Sequence, residues 1–122
     1  MPALEITVTA KLDGKPVDGF PITRRISLDE LQGFEYEEAN DGDTTTFSDI
    51  PAGQLDTIQA LLLRTDAQVN IRMDGATDAG LLLNAGGLVV IIDHTNDSGS
   101  NRLRVNNNSG GTAVLKGLVG GT

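Results

Sequence analysis

Residues 4 to 12 read Leu-Glu-Ile-Thr-Val-Thr-Ala-Lys-Leu, and apolar side chains occupy every second position. This period of two predicts a β-strand with one face in a core and the other in water. Asp13-Gly14 follows and predicts a tight hairpin. We expect the returning strand near residues 17–26, where Pro16 and Pro21 lack N–H donors and confine it to a sheet edge or a bulge.

The segment 55–63 is ambiguous, because its apolar spacing would also suit one face of a helix. The residues that follow it favour a strand. Thr65-Asp66 has the composition of a short connection, and apolar and polar side chains then alternate over residues 69–73. We therefore predict two consecutive strands in this region.

Shorter elements complete the pattern. Ser27-Leu28-Asp29-Glu30 has capping-box spacing and predicts one helical turn, which ends at Gly33. Phe34 and Tyr36 then alternate with acidic residues, as in a half-buried strand that carries its acids outward. Gly86-Gly87 and Gly110-Gly111 are expected in hairpins between further short strands, which are predicted at residues 80–84, 88–93, 102–106 and 112–118.

The fold class follows from these elements. About eight or nine short strands, separated by turns rich in Gly, Asn and Asp, describe an all-β protein built as an antiparallel β-sandwich or jelly roll. A chain of 122 residues provides one hydrophobic core. We expect a single β-sandwich domain over residues 1–122.

Charge is unevenly distributed along the chain. Nine of its 17 acidic residues lie between Ile26 and Leu63, where there is no Lys or Arg, whereas residues 1–25 have a net charge of +1. Binding to nucleic acid or to anionic membranes depends largely on clustered basic residues. We therefore expect no nucleic acid and no membrane among the partners.

The residue types offer little for catalysis. The chain contains no Cys and a single histidine, His94, which excludes thiolate metal sites and multi-histidine sites within one chain. Asn40-Asp41-Gly42-Asp43 is rich in oxygen ligands but does not follow the calcium-loop pattern, so it is interpreted as a turn. We expect no metal, no cofactor and no enzymatic activity.

The N-terminus has no signal-peptide pattern, and residues 79–92 are too short to span a bilayer.

Several segments of the second half together resemble a known class of protein. They are Leu61–Asp66, Val69–Gly75, Leu88–Asp93, Leu103–Asn107 and Ser109–Gly117. Cys-free, acidic and rich in Gly, Asn and Thr, they resemble small jelly-roll structural proteins of tailed bacteriophages, which include capsid decoration (cement) proteins and modules of head or tail appendages. The resemblance implies a non-catalytic part of the virion, assembled in the host cytoplasm and frequently a trimer. Its implied partners are copies of itself and the major capsid protein or another virion protein.

Three classes of function remain open. The first is a decoration protein that binds the assembled head and stabilises it. The second is a carbohydrate- or receptor-binding β-sandwich module of a phage appendage, in which the four aromatic residues and the Asp-rich turns would form the site. The third comprises enzymes and intracellular adaptors.

Two sets of residues are predicted to form interfaces between subunits. The first is electrostatic and pairs Glu35, Glu37 and Glu38 with a basic surface such as Arg24 and Arg25 of a neighbouring copy. Alternatively, these acids form a merely solvating face. The second set is apolar: strands 81–83 and 88–92 have apolar residues on both faces, so we expect their outward members to meet a neighbour unless loops of the same chain cover them. Those members are predicted to be Leu82 with Val89 or Ile91.

Overall fold

The computed structural model describes residues 2–50, 55, 58–73, 80–92 and 103–121. These residues form twelve β-strands and no helix, which confirms the all-β prediction. There are more strands than the expected eight or nine because several are segments of two residues. The strands are β1 (Ala3–Val8), β2 (Lys11–Leu12), β3 (Lys15–Pro16), β4 (Ile22–Ser27), β5 (Glu30–Glu38), β6 (Ser48–Asp49), β7 (Ile58–Thr65), β8 (Val69–Arg72), β9 (Leu81–Leu83), β10 (Leu88–Ile91), β11 (Arg104–Asn106) and β12 (Ala113–Gly121).

Two four-stranded antiparallel sheets form the body of the protein. Sheet I has the strand order β10-β7-β12-β5, and sheet II has the order β6-β11-β8-β9. Alternate side chains of both sheets enter one shared core, as the period of two requires. The antiparallel β-sandwich is therefore confirmed. Its buried residues are Ile50, Ile58, Leu61, Leu63, Val69, Ile71, Val89, Leu103, Val105, Ala113, Leu115 and Val119.

The ambiguous segment 55–63 contains most of a central strand of sheet I, so its interpretation as a strand is confirmed. Strand β7 pairs with β10 on one side and with β12 on the other. Leu61 and Leu63 enter the sandwich core, while Ala60 is buried on the opposite face. Burial on both faces explains why the apolar spacing of this segment did not follow a simple alternation.

Residues 3–27 form a β-ribbon that we call the arm. Strands β1 and β4 pair along its length, and β2 and β3 pair across the Asp13-Gly14 turn, where both residues have positive φ. The predicted hairpin is confirmed, although the first strand breaks after Val8. The Phe20–Pro21 peptide bond is cis. At the base of the arm, Leu4 packs against the outer face of sheet I, which is the face turned away from the core.

The predicted helical turn at Ser27–Glu30 is wrong. Ser27 ends β4 and Glu30 begins β5, with Leu28 between them. Leu28 is buried with Leu4 and Ala60, and its N–H donates to the Pro2 carbonyl at 2.9 Å. Burial of Leu28 in an extended connection replaces the capping interaction.

Both glycine pairs lie in connections between the sheets, so their assignment to hairpins is wrong. Gly86-Gly87 joins β9 of sheet II to β10 of sheet I, and Gly110-Gly111 joins β11 of sheet II to β12 of sheet I. Gly-rich turns occur both in hairpins within one sheet and in connections between two sheets, so the sequence indicates only that the chain changes direction. It does not reveal whether the next strand pairs with the previous one or with a strand of the other sheet.

Candidate interaction surfaces

Two of the predicted interface acids lie on the outer face of sheet I. Glu35 and Glu37 of β5 are exposed, as the alternation predicted. The Glu35 carboxylate lies 3.8 Å from the ammonium group of Lys116 on the neighbouring strand. An exposed pair of this kind contributes at most about 1 kcal/mol to stability. The carboxylates of Glu35 and Glu37 are therefore accessible to a binding partner.

Glu38 does not belong to this surface, and its inclusion among exposed interface acids is wrong. Its side chain is 6% exposed, because alternation along β5 places it on the same face as Tyr36. The Tyr36 hydroxyl donates to Oε1 at 2.9 Å, and the Ser48 hydroxyl donates to Oε2 at 2.8 Å. Since Ser48 belongs to β6, this carboxylate links sheet I to sheet II.

The environment of Glu38 changes its acidity. Burial raises the pKa of Glu38 above its ordinary value of 4.5, and the nearby Asp41 raises it further, while the hydrogen bonds from Ser48 and Tyr36 act in the opposite direction. Burial, followed by the hydrogen bond to Glu38, also raises the pKa of the Tyr36 hydroxyl. This cluster is a buried polar link within the fold.

Asn107, which the sequence patterns did not indicate as a site residue, completes the polar region at the same end of the sandwich. Its Nδ2 donates to the carbonyls of Glu38 at 2.9 Å and Gly111 at 2.7 Å, and its Oδ1 accepts from the Ser109 amide at 3.0 Å. Its side chain is fully buried. Asn107 therefore holds the β11–β12 connection against the end of β5. Its position between a strand and a Gly-rich turn is the sequence feature that could have indicated this role.

The two predicted basic residues lie on the arm. Arg25 is directly opposite Glu5 in the β1–β4 pairing, with 3.9 Å between guanidinium and carboxylate, and both side chains are largely exposed. Arg24 is exposed on the other face of the ribbon, opposite Ile6. Their contact with the acids of a neighbouring copy stays a prediction.

The orientation predicted for β10 is wrong. Val89 is 8% exposed and belongs to the sandwich core, and Ile91 packs against the same core. The reason is the pairing register, which places Val89 opposite the core residue Leu63. The outward residues of this strand are Leu88, which is 64% exposed, and Val90, which is 40% exposed.

Exposed large apolar side chains are concentrated in two places within the described ranges. The arm cluster lies on and between β2 and β4. The edge cluster lies on β9 and β10, which are edge strands of the two sheets, with Leu82 on the outer face of sheet II and Leu88 and Val90 on the outer face of sheet I. Single exposed apolar residues need no explanation, but grouped ones mark interaction sites. The arm cluster is Leu12, Val17, Phe20 and Ile22, and the edge cluster is Leu81, Leu82, Leu88 and Val90.

The described surface has two further polar features. A shallow groove on sheet I is lined by acids and bases of both signs, including Glu35, Arg64, Asp66 and Lys116. The Asp43 carboxylate accepts hydrogen bonds from the Thr45 and Thr46 amides and the Thr46 hydroxyl. These bonds, the Thr46 amide first, lower its pKa, as in a structural turn.

The described ranges contain no group of three or more His, Cys, Asp or Glu residues arranged to bind a metal ion. Nor do they include a helix long and apolar enough to cross a membrane. His94 lies outside the described residues.

Comparison of the chain with protein-family models, with curated proteins and with solved structures finds no match.

Proposed function

We propose that this chain is a non-enzymatic structural protein of a tailed-bacteriophage virion, and specifically a capsid decoration protein that binds the assembled head and stabilises it. Its location would be the capsid surface, after assembly in the host cytoplasm. The proposal joins the sequence resemblance described above to the surfaces of the β-sandwich.

The arm and edge clusters are the observation on which the proposal rests. The described surface presents eight exposed large apolar side chains, which lie on the arm and on the edge strands β9 and β10. Exposed apolar patches mark interaction sites, and contact with a protein partner is one of the ways in which they are covered. A protein whose role is to bridge subunits of a shell needs such surfaces and a stable fold.

The strand order supports the jelly-roll part of the proposal. Strands β5 to β12 form two facing sheets of four strands, and the β9–β10 and β11–β12 connections each pass from one sheet to the other. Eight strands in two sheets is the architecture of jelly-roll proteins, which include viral capsid domains. Fold alone does not define function.

The positions of the aromatic residues argue against the alternative carbohydrate-binding module. Phe34 and Tyr36 pack against the sandwich core, and the Phe47 ring lies 3.9 Å from the Arg72 guanidinium carbon. Phe20 on the arm is the only one of the four aromatic residues that is exposed. One exposed ring provides little surface for stacking on sugars.

The test is association with virions. Virions purified from infected cells should contain the protein at a fixed ratio to the major capsid protein that matches a surface lattice, and purified protein should rebind to heads stripped of it. Stripped heads should also lose stability to heat or chelation, and regain it on rebinding. Absence from purified virions, with the protein found free in the host lysate, would reject the proposal. Glycan binding by the purified protein would instead favour the alternative.

A further inference from the structure

Among the described residues, the sandwich core contacts the arm at its base. Leu4 and Leu28 are buried against Ala60, and Ile26 packs on the same group. Farther along the ribbon the arm cluster is exposed, and Leu12 at the hairpin is 71% exposed. An isolated two-stranded hairpin is at best marginally stable in water. The distal half of the arm therefore needs a covering surface.

A suitable surface exists on the outer face of sheet I. Leu88 and Val90 are exposed there, and Val90 pairs directly with the half-buried Leu62 of β7. On the same face, Ala60 and Leu118 already contact the base of the arm within one chain. The patch formed by Leu62, Leu88 and Val90 thus continues a surface that binds an apolar β-ribbon.

The charges of the two parts favour a second copy of this chain as the occupant. Residues 1–25 carry +1 of a total net charge of −8, so the rest of the chain carries −9. Two acidic bodies repel each other. The arm is not net acidic, because Lys11 and Lys15 balance Asp13 and Asp18 at its hairpin, so a neighbouring body repels the arm less than it repels any other part of the chain.

We propose that the arm cluster of one chain docks on the Leu62, Leu88 and Val90 patch of a second copy. This contact specifies how the chain assembles in the proposed function, and so rests on that function. The two surfaces differ, so the interface is heterologous: each subunit offers its arm to one neighbour and its patch to another. Such contacts form a closed ring when the rotation between subunits closes, as in a trimer.

Cross-linking tests the contact directly, because the chain contains no cysteine. Leu12→Cys and Leu88→Cys chains are mixed in equal amounts and treated with a short bis-maleimide. We expect a covalent dimer that contains one chain of each kind, and little dimer from either variant alone. Leu12→Cys mixed with Thr45→Cys, which places the thiol at an exposed site on a loop, is the matched control and should give little dimer. Equal yields from both mixtures would overturn the proposal.

Complementation gives a second, independent readout. Sedimentation should show that the wild-type protein is an oligomer at about 100 μM. The arm variant, Leu12→Asn with Phe20→Asn, should be a monomer. The patch variant, Leu88→Thr with Val90→Thr, should also be a monomer. Mixing the two variants should restore a dimer and no larger species, because one intact arm and one intact patch remain. Circular dichroism establishes that each variant is folded, and cross-linking decides the question if one is not.

Several results would overturn the arm contact: a monomeric wild-type protein, an arm variant that still assembles, or a mixture that stays monomeric. An arm variant that loses head binding while the wild-type protein is a monomer would assign the arm to another virion protein. If cross-linking fails but the protein still binds heads, only the arm contact is wrong. If cross-linking succeeds but virions lack the protein, only the proposed function is wrong.

Discussion

Replacing Asn107 with alanine should strongly destabilise the protein. The substitution leaves the carbonyls of Glu38 and Gly111 and the amide of Ser109 without their partner. A stranded buried polar group costs about 1–3 kcal/mol, and the Glu38 carbonyl belongs to the upper half of this range because its hydrogen bond is fully buried. The other two groups lie nearer the surface and cost about 1 kcal/mol each. The expected loss is about 4 kcal/mol, a large share of the roughly 5–15 kcal/mol that stabilise a typical domain.

Urea unfolding followed by circular dichroism, at one protein concentration for all variants, measures this loss. Asn107→Asp has nearly the same shape and keeps the acceptor for Ser109 but has no donor for the carbonyls, so it should lose at least as much stability. Asn108 is exposed next to it, and Asn108→Ala should change the free energy of unfolding by less than about 0.5 kcal/mol. A loss below about 1 kcal/mol for Asn107→Ala, or an equal loss for Asn108→Ala, would refute the reasoning.

Three further predictions follow from other features. The pKa of Glu38 is raised on folding, so its contribution to the free energy of unfolding should decrease as pH rises from 4.5 through the raised pKa. Urea unfolding measured across this pH range should show the decrease in the wild-type protein. Glu38→Gln should abolish it. A Cβ at Gly117 would overlap the Leu62 carbonyl, so Gly117→Ala should cost about 3 kcal/mol or more in thermal unfolding, whereas Gly111→Ala, with open space around it, should be tolerated. If the exposed acids dock on a basic partner, the bound fraction should fall between about 0.1 and 1 M NaCl as the screening length shortens from about 10 to 3 Å. A flat response would reject electrostatic docking.

The sequence predicted local structure well where a strand is buried on one face only. Alternation located Phe34 and Tyr36 inward with Glu35 and Glu37 outward, and Asp13-Gly14 located the hairpin. The same parity would have placed Glu38 inward. Charge alone groups Glu38 with Glu35 and Glu37, whereas its position in the strand indicates burial.

Strand β10 shows where sequence patterns are insufficient. Its residues are all apolar, so both alternating sets suit a core equally well. The choice depends on the register with β7, in which Val89 faces inward beside Leu63. Register is a property of tertiary pairing. For the same reason the exposed pair, Leu88 and Val90, was identifiable only from the structure.

The place of β12 in sheet I has a consequence for biosynthesis. It lies between β5 and β7, although it follows both along the chain, and β5 has no other partner among the described strands. While the chain emerges from the ribosome, β5 must wait unpaired until residues 113–121 have been made. Contacts that span so much of the chain slow folding and expose strand edges in the meantime. Sheet I can therefore be completed only after residues 113–121 have left the ribosome.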